Sequence, residues 1–578
     1  VRRNAVSVDE ATGSETPEGA GTVAQATDNE ARRDTARHNP EINEADVFEA
    51  VVDRRPDSPS VAFDGAVFTF REFDQLANRF AHALLGQGIE RGDRVAIVAR
   101  NVPEHLGAIL GLMKISAAAV NTNFMYGPEE IRNILVDSAS AGVLVESEFA
   151  ATVAAAICEG GELAVPSLRF LVAVGEPGDE LVAAAEAAGI PLLDSAEMLR
   201  AASSERPAVE RSGDDRWLLY TGGTTGHPKG VVWRAADYYY ACLSGGNPYG
   251  EARNSPEEVA EATVDGFRAF LSAPFMHGAG MFTLFTFLNL GGFVAVQRVF
   301  DPERILRACA EFDVQALVIV GDGMGVPLVD ELRALREAGE ELDFPGLFMV
   351  ASGGGIWSQV NRDAWKELLP NIMLRDNVGA SESGNDGEMV FDEAGRLRLD
   401  PGRGIVLVDE LLEPLEPGSG DIGYIVRTGH LPLEYLGDPE KTASTFVEVG
   451  GERGSLLGDM GMLAEDGGII FLGRGSGCIN TGGEKVFPEE VESALKRHPA
   501  VFDALVVGVP DERYGEAVGA VVSVREGEPD PTVDEIREHV RGLLAGYKAP
   551  RVVSFVDEVK RSPAGKADYR WAKRAIDA

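Results

Sequence analysis

The stretch Leu218-Leu219-Tyr220-Thr221-Gly222-Gly223-Thr224-Thr225-Gly226-His227-Pro228-Lys229-Gly230 decides how this chain is read. An apolar run leads into a turn that concentrates glycines, hydroxyls and one lysine. Glycines let backbone N–H groups close on an anion, threonines add donors, and the lysine adds positive charge. The pattern therefore predicts a polyphosphate cradle. It is not the common phosphate loop, in which Gly directly precedes Lys, because Pro228 holds that place. The plain alternative is a glycine-rich surface turn, but low-complexity loops seldom combine Thr-Thr, Pro and Lys in this way.

Outward from this turn, strand and helix patterns alternate. Apolar runs at Arg94–Val98, Ala117–Asn121, Gly142–Val145, Phe170–Val174, Trp217–Tyr220, Phe293–Val296 and Ala316–Val320 read as buried strands, with a helix over Glu104–Ser116. Val61–Phe70 reads as a hairpin around Asp64-Gly65, flanked by helical patterns between Phe48 and Gly88. This alternation predicts an α/β fold with largely parallel sheets. From about Asp400, short β-like runs between Gly and Pro (Gly404–Val408, Gly423–Arg427, Gly468–Leu472) predict a small β-rich subdomain. A last unit has strands at Ala504–Val509, Ala517–Val524 and Val552–Phe555, and a helix that starts at Pro488 with Glu489 and Glu490 behind it. The Gly-Arg-Gly-Ser-Gly run at 473–477 offers a hinge. The expected organisation is a disordered acidic extension over 1–44, a large N-terminal domain of two α/β sheet subdomains plus the β-rich subdomain over 45–474, and a small mobile α+β C-terminal domain over 475–578.

The 578 residues exceed a single core, and 44% hydrophobic residues suit a globular protein. No apolar run is long enough to span a membrane, and no signal peptide is visible. Cys158, Cys242, Cys309 and Cys478 stand far apart without metal-type spacing, so reduced thiols in the cytoplasm are expected. The formal net charge of −40 argues against nucleic acid as a partner. Between Arg541 and Arg574, however, nine basic residues face three acidic ones, a reversal that predicts an electrostatic funnel for an anion.

Further motifs follow the Thr/Gly turn in order. They are Pro274-Phe275-Met276-His277-Gly278-Ala279-Gly280, Gly353-Gly354-Gly355, Asp376-Asn377-Val378-Gly379-Ala380-Ser381-Glu382-Ser383-Gly384, Gly458-Asp459-Met460-Gly461, Gly473-Arg474, Ile479 to Glu492, and Ser562-Pro563-Ala564-Gly565-Lys566. Each alone is weak. Glu382 would pass as a loop acid, Arg474 as a surface cation and Lys566 as a tail lysine. Together, and in this order, they resemble the adenylate-forming superfamily over nearly all of the chain after about residue 45. Within it, the segments Gly321-Asp322-Gly323-Met324, Pro327 to Leu332 and Ile479 to Pro488 are similar to actinobacterial acyl-CoA synthetases that handle fatty or steroid side-chain acids.

The resemblance implies ATP, Mg²⁺ and CoA, with AMP released. Thr221, Gly222, Gly223, Thr224, Thr225, Gly226 and Lys229 would wrap the β- and γ-phosphates. Gly353, Gly354 and Gly355 would border the nucleotide and acid pockets. Asn377, Val378, Gly379, Ala380 and Ser381 would line the adenine. Glu382 and Thr225 would hold Mg²⁺, while Asp459 and Arg474 would reach the ribose. Lys566 would bridge the attacking carboxylate and the α-phosphate. His277 would stand at the acyl entrance, before a pocket walled by Phe275, Met281, Phe282, Phe285 and residues near Val320 to Gly325. Gly482 and Gly483 would let the pantetheine arm pass. Two positions depart from the pattern: Val378 stands where Tyr is usual, and Ser476 sits at the pivot. Related enzymes transfer acyl groups to carrier proteins or activate nitrite for arylamine diazotisation, and both stay as alternatives. A homodimer is compatible with the chain, and no membrane span is expected.

Overall fold

The structure, a computed structural model, describes residues 38–577 except 160–161, 222–227, 249, 356, 393–395, 400–403, 417, 475–476, 482–483, 512–514 and 562–566. Sheets of eight, fourteen and five strands organise it. In the first, Ala118–Asn121, Arg94–Val98, Gly142–Glu146 and Phe170–Val174 lie side by side in parallel. Their continuous apolar sequence is what a strand covered on both faces needs. Arg216–Thr221 joins this set in parallel, then returns antiparallel as Lys229–Arg234. Glu434–Tyr435, from far downstream, closes that edge.

The second sheet begins with the hairpin expected around Asp64-Gly65. Both residues have positive φ (46° and 89°), the signature of a two-residue turn matched to strand twist. The hairpin is not free-standing, because Pro59–Phe63 pairs in parallel with Phe293–Val296. Parallel neighbours then run through Arg268–Leu271, Ala316–Ile319, Met349–Gly353 and Met373–Ala380. From Gly384–Phe391 onward the pairing turns antiparallel. The β-rich portion after residue 400 is therefore continuous with the second sheet. Val95 and Ile97 of the first sheet and Ala269 and Leu271 of the second share one hydrophobic core.

Sheet membership changes between Arg474, the last residue of the second sheet, and Ile479, the first of the third. The third sheet pairs Val501–Asp511 with Gly515–Val524, and Val552–Val556 with the latter. Its helix Pro488–Lys496 opens on the expected proline and acids. Among the described residues no helix is long and apolar enough to cross a membrane.

The extension drawn to residue 44 ends sooner. The Asn39 amide donates to the Tyr240 hydroxyl at 2.8 Å, and Asn43 caps the helix Glu44–Arg54. Short-range pattern alone did not reveal why. The helix is tied down by a buried ion cluster, in which Lys114, fully buried, donates to Glu49 at 2.5 Å and to Asp74 at 2.7 Å. Burial opposes the Glu49 charge, but Lys114 and Arg211 hold its carboxyl below the usual range. Lys114→Met takes the buried ammonium from two carboxylates and leaves Glu49 to Arg211 and Asp74 to Asn78 and Arg206, and removing one partner of such a set commonly costs about 3–5 kcal/mol. Urea unfolding should show a loss of that order, with a lower midpoint and an unchanged slope.

Candidate active site

The Thr/Gly motif is flanked by two paired strands. Thr221 pairs with Lys229 across the strands Arg216–Thr221 and Lys229–Arg234, so the motif's two ends are fixed opposite each other. Its glycines and threonines Gly222, Gly223, Thr224, Thr225 and Gly226 lie outside the described residues. Lys229 forms an ion pair with Asp438, and its ammonium stands 5.9 Å from the centre of the Tyr435 ring. The Lys229 hydrogen bond, with the Lys441 amide, holds the Asp438 carboxyl below its usual range.

Glu382 sits in the turn between Met373–Ala380 and Gly384–Phe391. The turn is tight because Gly379 faces the Gly384 carbonyl, which would lie 2.2 Å from any Cβ. The Trp233 indole donates to the Ser381 carbonyl at 3.0 Å and ties this turn to the Lys229–Arg234 strand. The Tyr435 hydroxyl donates to Glu382 Oε1 at 2.8 Å. Lys229 and Glu382 are thus gathered around Tyr435. Neither Tyr435 nor Asp438 was singled out in the sequence. The Asp438-Pro439-Glu440 start of the helix Pro439–Thr445 was a readable capping signal, whereas Tyr435 carried none.

Gly353 and Asn377 are register partners at the carboxyl ends of adjacent parallel strands, where ligands of α/β folds commonly bind. Gly354 (φ 80°) approaches Ala279, and Gly355 approaches Val320. Val378 lines a small cavity of about 30 Å³ with Asp386, Arg427, Asp459 and Phe471. It offers aliphatic packing where an aromatic ring was the usual expectation. Asp459 stands opposite Arg474 in strand register. Asp386, a residue missed in the sequence, accepts from Ser383 Oγ at 2.5 Å and lies 3.6 Å from Arg427.

His277 caps the helix Gly278–Asn289. Of the expected pocket walls, Phe275, Met281 and Phe285 are fully buried in the shared core, while Phe282 is half-buried. Val320, Asp322, Gly323 and Met324 instead line a cavity of about 860 Å³, together with Lys496, Phe502, Arg525 and Arg561 of the last unit. Asp322 binds Ser358 and lies 3.5 Å from Lys496, which also pairs with Asp503 at 3.0 Å. Three cations of the expected basic funnel are paired: Lys548 with Glu490, Arg551 with Asp511 and Arg561 with Asp503. That reduces the field they offer an anion. Ser476, Gly482, Gly483 and Lys566 lie outside the described residues.

Residues 48–431 match the AMP-binding enzyme family, and residues 490–566 match the AMP-binding enzyme C-terminal domain. The chain belongs to this family of adenylate-forming enzymes. It is 40% identical to the 3-oxocholest-4-en-26-oate–CoA ligase of Rhodococcus rhodochrous, over 92% of this chain and 95% of that protein. It is 39% identical to a medium/long-chain-fatty-acid–CoA/3-oxocholest-4-en-26-oate–CoA ligase of Mycolicibacterium smegmatis, over 92% and 96%. Its fold matches the crystal structure of the anthranilate CoA ligase AuaEII bound to anthranoyl-AMP, with a TM-score of 0.80, 23% identity and coverage of 94% of this chain and 98% of that one.

Burial pushes the Asp386 carboxyl up to about 6, against Arg427 and Ser383 and with help from Asp459 and Glu382. A folded-state pKa raised above the unfolded value of about 3.9 adds stability that is full below that value and lost as pH rises through 6. Asp376 and Glu492, both pushed up by burial to about 7, act in the same direction. Asp386→Asn should therefore lessen, without abolishing, the fall in urea midpoint between pH 4 and pH 8.

Proposed function

We propose that the chain is an ATP-dependent acid–CoA ligase for fatty or steroid side-chain acids, which forms an acyl-adenylate and passes the acyl group to CoA. The observation that carries this reading is the gathering of Lys229 and Glu382 around Tyr435, at the turn that ends the strand carrying Asn377. It is supported by relatives, identical at about two residues in five, whose names are those of CoA ligases of such acids.

In the first step a carboxylate oxygen attacks the α-phosphorus, and the bond to the β-phosphate oxygen breaks to release pyrophosphate. Both reactants are anions, so the approach needs positive charge placed in advance. Lys229 supplies it to the phosphates on the Thr221–Lys229 hairpin. Glu382 and Thr225 offer hard oxygen ligands of the kind Mg²⁺ takes, and the ion when bound neutralises phosphate oxygens. Lys566 bridges the attacking oxygen and the α-phosphate. In the second step the CoA thiol attacks the acyl carbonyl and AMP leaves. Lys566 then has to withdraw, and rotation at Ser476 brings Gly482 and Gly483 to the pantetheine arm. The reaction is placed in the cytoplasm.

Pyrophosphate and AMP release should appear with ATP, Mg²⁺ and long-chain or steroid side-chain acids, and thioester only when CoA is added. Release with nitrite and none with acids would replace this reading with nitrite activation, and transfer to a carrier protein but not to CoA would replace the acceptor. The relatives' names favour neither. Lys566→Ala should lower adenylate formation by about 10²–10³, the usual cost of one preorganised stabiliser. Thioester formation from supplied acyl-adenylate should be retained. Single-turnover assays separate the two steps, and equal loss in both contradicts the role given to Lys566.

A further inference from the structure

Four polar atoms in the apolar interior beside the helix Gly278–Asn289 have no hydrogen-bond partner among the described residues. They are Glu44 Oε1, Asn289 Oδ1, Tyr238 Oη and Trp217 Nε1. Their residues are at most 3% exposed. They are also neighbours. Asn289 Nδ2 donates to Glu44 Oε2 at 3.1 Å, and the Tyr238 ring stacks on Trp217 at 4.6 Å. Burial raises the Tyr238 phenol well above its ordinary pKa, with Cys242 and Glu44 adding to the effect. Burial likewise raises the Glu44 carboxyl well above its ordinary value, which favours its protonated form. Interiors rarely leave buried polar atoms unpaired, and several in one place call for a guest that pairs with them.

The same helix links this cluster to the reacting end of the site. At its start, Ala279 lies against Gly354, and Gly278 lies against Leu219 and the Phe282 ring. Phe282, half-buried, meets Tyr238 edge-on at 5.7 Å. At its other end stands Asn289, about 18 Å from His277 at 1.5 Å per residue.

We propose that Glu44, Tyr238 and Asn289 form a polar floor to the acid pocket and recognise a hydrogen-bonding oxygen, ketone or hydroxyl, at the end of the acid far from its carboxyl group. This rests on the ligase reading above and narrows its substrate to elongated acids, about 18 Å long, that are polar at both ends and apolar between. The tail enters when Phe282 swings off Tyr238 and then runs along the helix. The distal oxygen accepts from Tyr238 Oη and pairs with the unpartnered Oε1 side of the Glu44 carboxyl.

The test compares 3-oxocholest-4-en-26-oate with its 3-deoxy counterpart by kcat/KM for AMP release, in the wild type, Tyr238→Phe and Glu44→Gln. The wild type should prefer the ketone by about tenfold or more, the worth of one well-placed hydrogen bond. Tyr238→Phe should bring that ratio close to one, while Glu44→Gln, which keeps shape and a donor, should retain most of it. A ratio near one in the wild type, as buried water at the cluster would give, overturns the proposal. So does an unchanged ratio in Tyr238→Phe. AMP release with long-chain fatty acids but not with either steroid acid overturns the proposal and leaves the ligase reading standing. No AMP with any acid overturns both.

Discussion

The phenol of Tyr435 keeps a cation and an anion from cancelling. Lys229 and Glu382 approach the same small volume from two different sheets, and opposite charges that close would pair directly if left alone. Tyr435 donates to Glu382, and Asp438 takes up the ammonium, so each charge has a partner of its own. The geometry depends on a long-range pairing. The two-residue strand Glu434–Tyr435 docks on Lys229–Arg234 and so brings the Tyr435 hydroxyl to Glu382.

The remaining architecture serves to hold these pieces in place. The parallel strands of the second sheet deliver Gly353 and Asn377 side by side, and the antiparallel strands that follow carry Asp459 to the same end. Trp233 joins the two sheets at the Ser381 carbonyl. The acidic character of the chain is partly absorbed within it, because many of its carboxylates pair with arginines. Arg206 and Arg211, for example, clasp Asp46, Glu49 and Asp53 on the first helix.

Much of this was legible in sequence, for a physical reason. Strands buried on both faces are continuous apolar runs, so Arg94–Val98, Phe170–Val174 and Phe293–Val296 could be bounded from composition alone. The Asp64-Gly65 turn and the Pro488 helix start were equally local. Strand order was not legible, because hydrogen bonds between distant segments leave no trace in either one. The docking of Pro59–Phe63 on Phe293–Val296 and the fusion of the β-rich part with the second sheet belong to that class. Buried charge was hidden too. Lys114 reads as an ordinary helix-end lysine, and Asp386 as a loop acid, until their surroundings are known. The motif residues stood out in the sequence because several chemical groups recur there together and in order. Tyr435 escaped because one tyrosine between Glu434 and Leu436 resembles any core residue.

Asp322 has two claimants. It accepts from Ser358 within the large unit and faces Lys496 from the small one, with Asp503 on the ammonium's other side. Any swing of the last hundred residues has to draw that ammonium away from Asp322 and let solvent flood the gap beside it. Such a swing would trade one charge contact for hydration of Asp322, while Asp503 keeps hold of the ammonium.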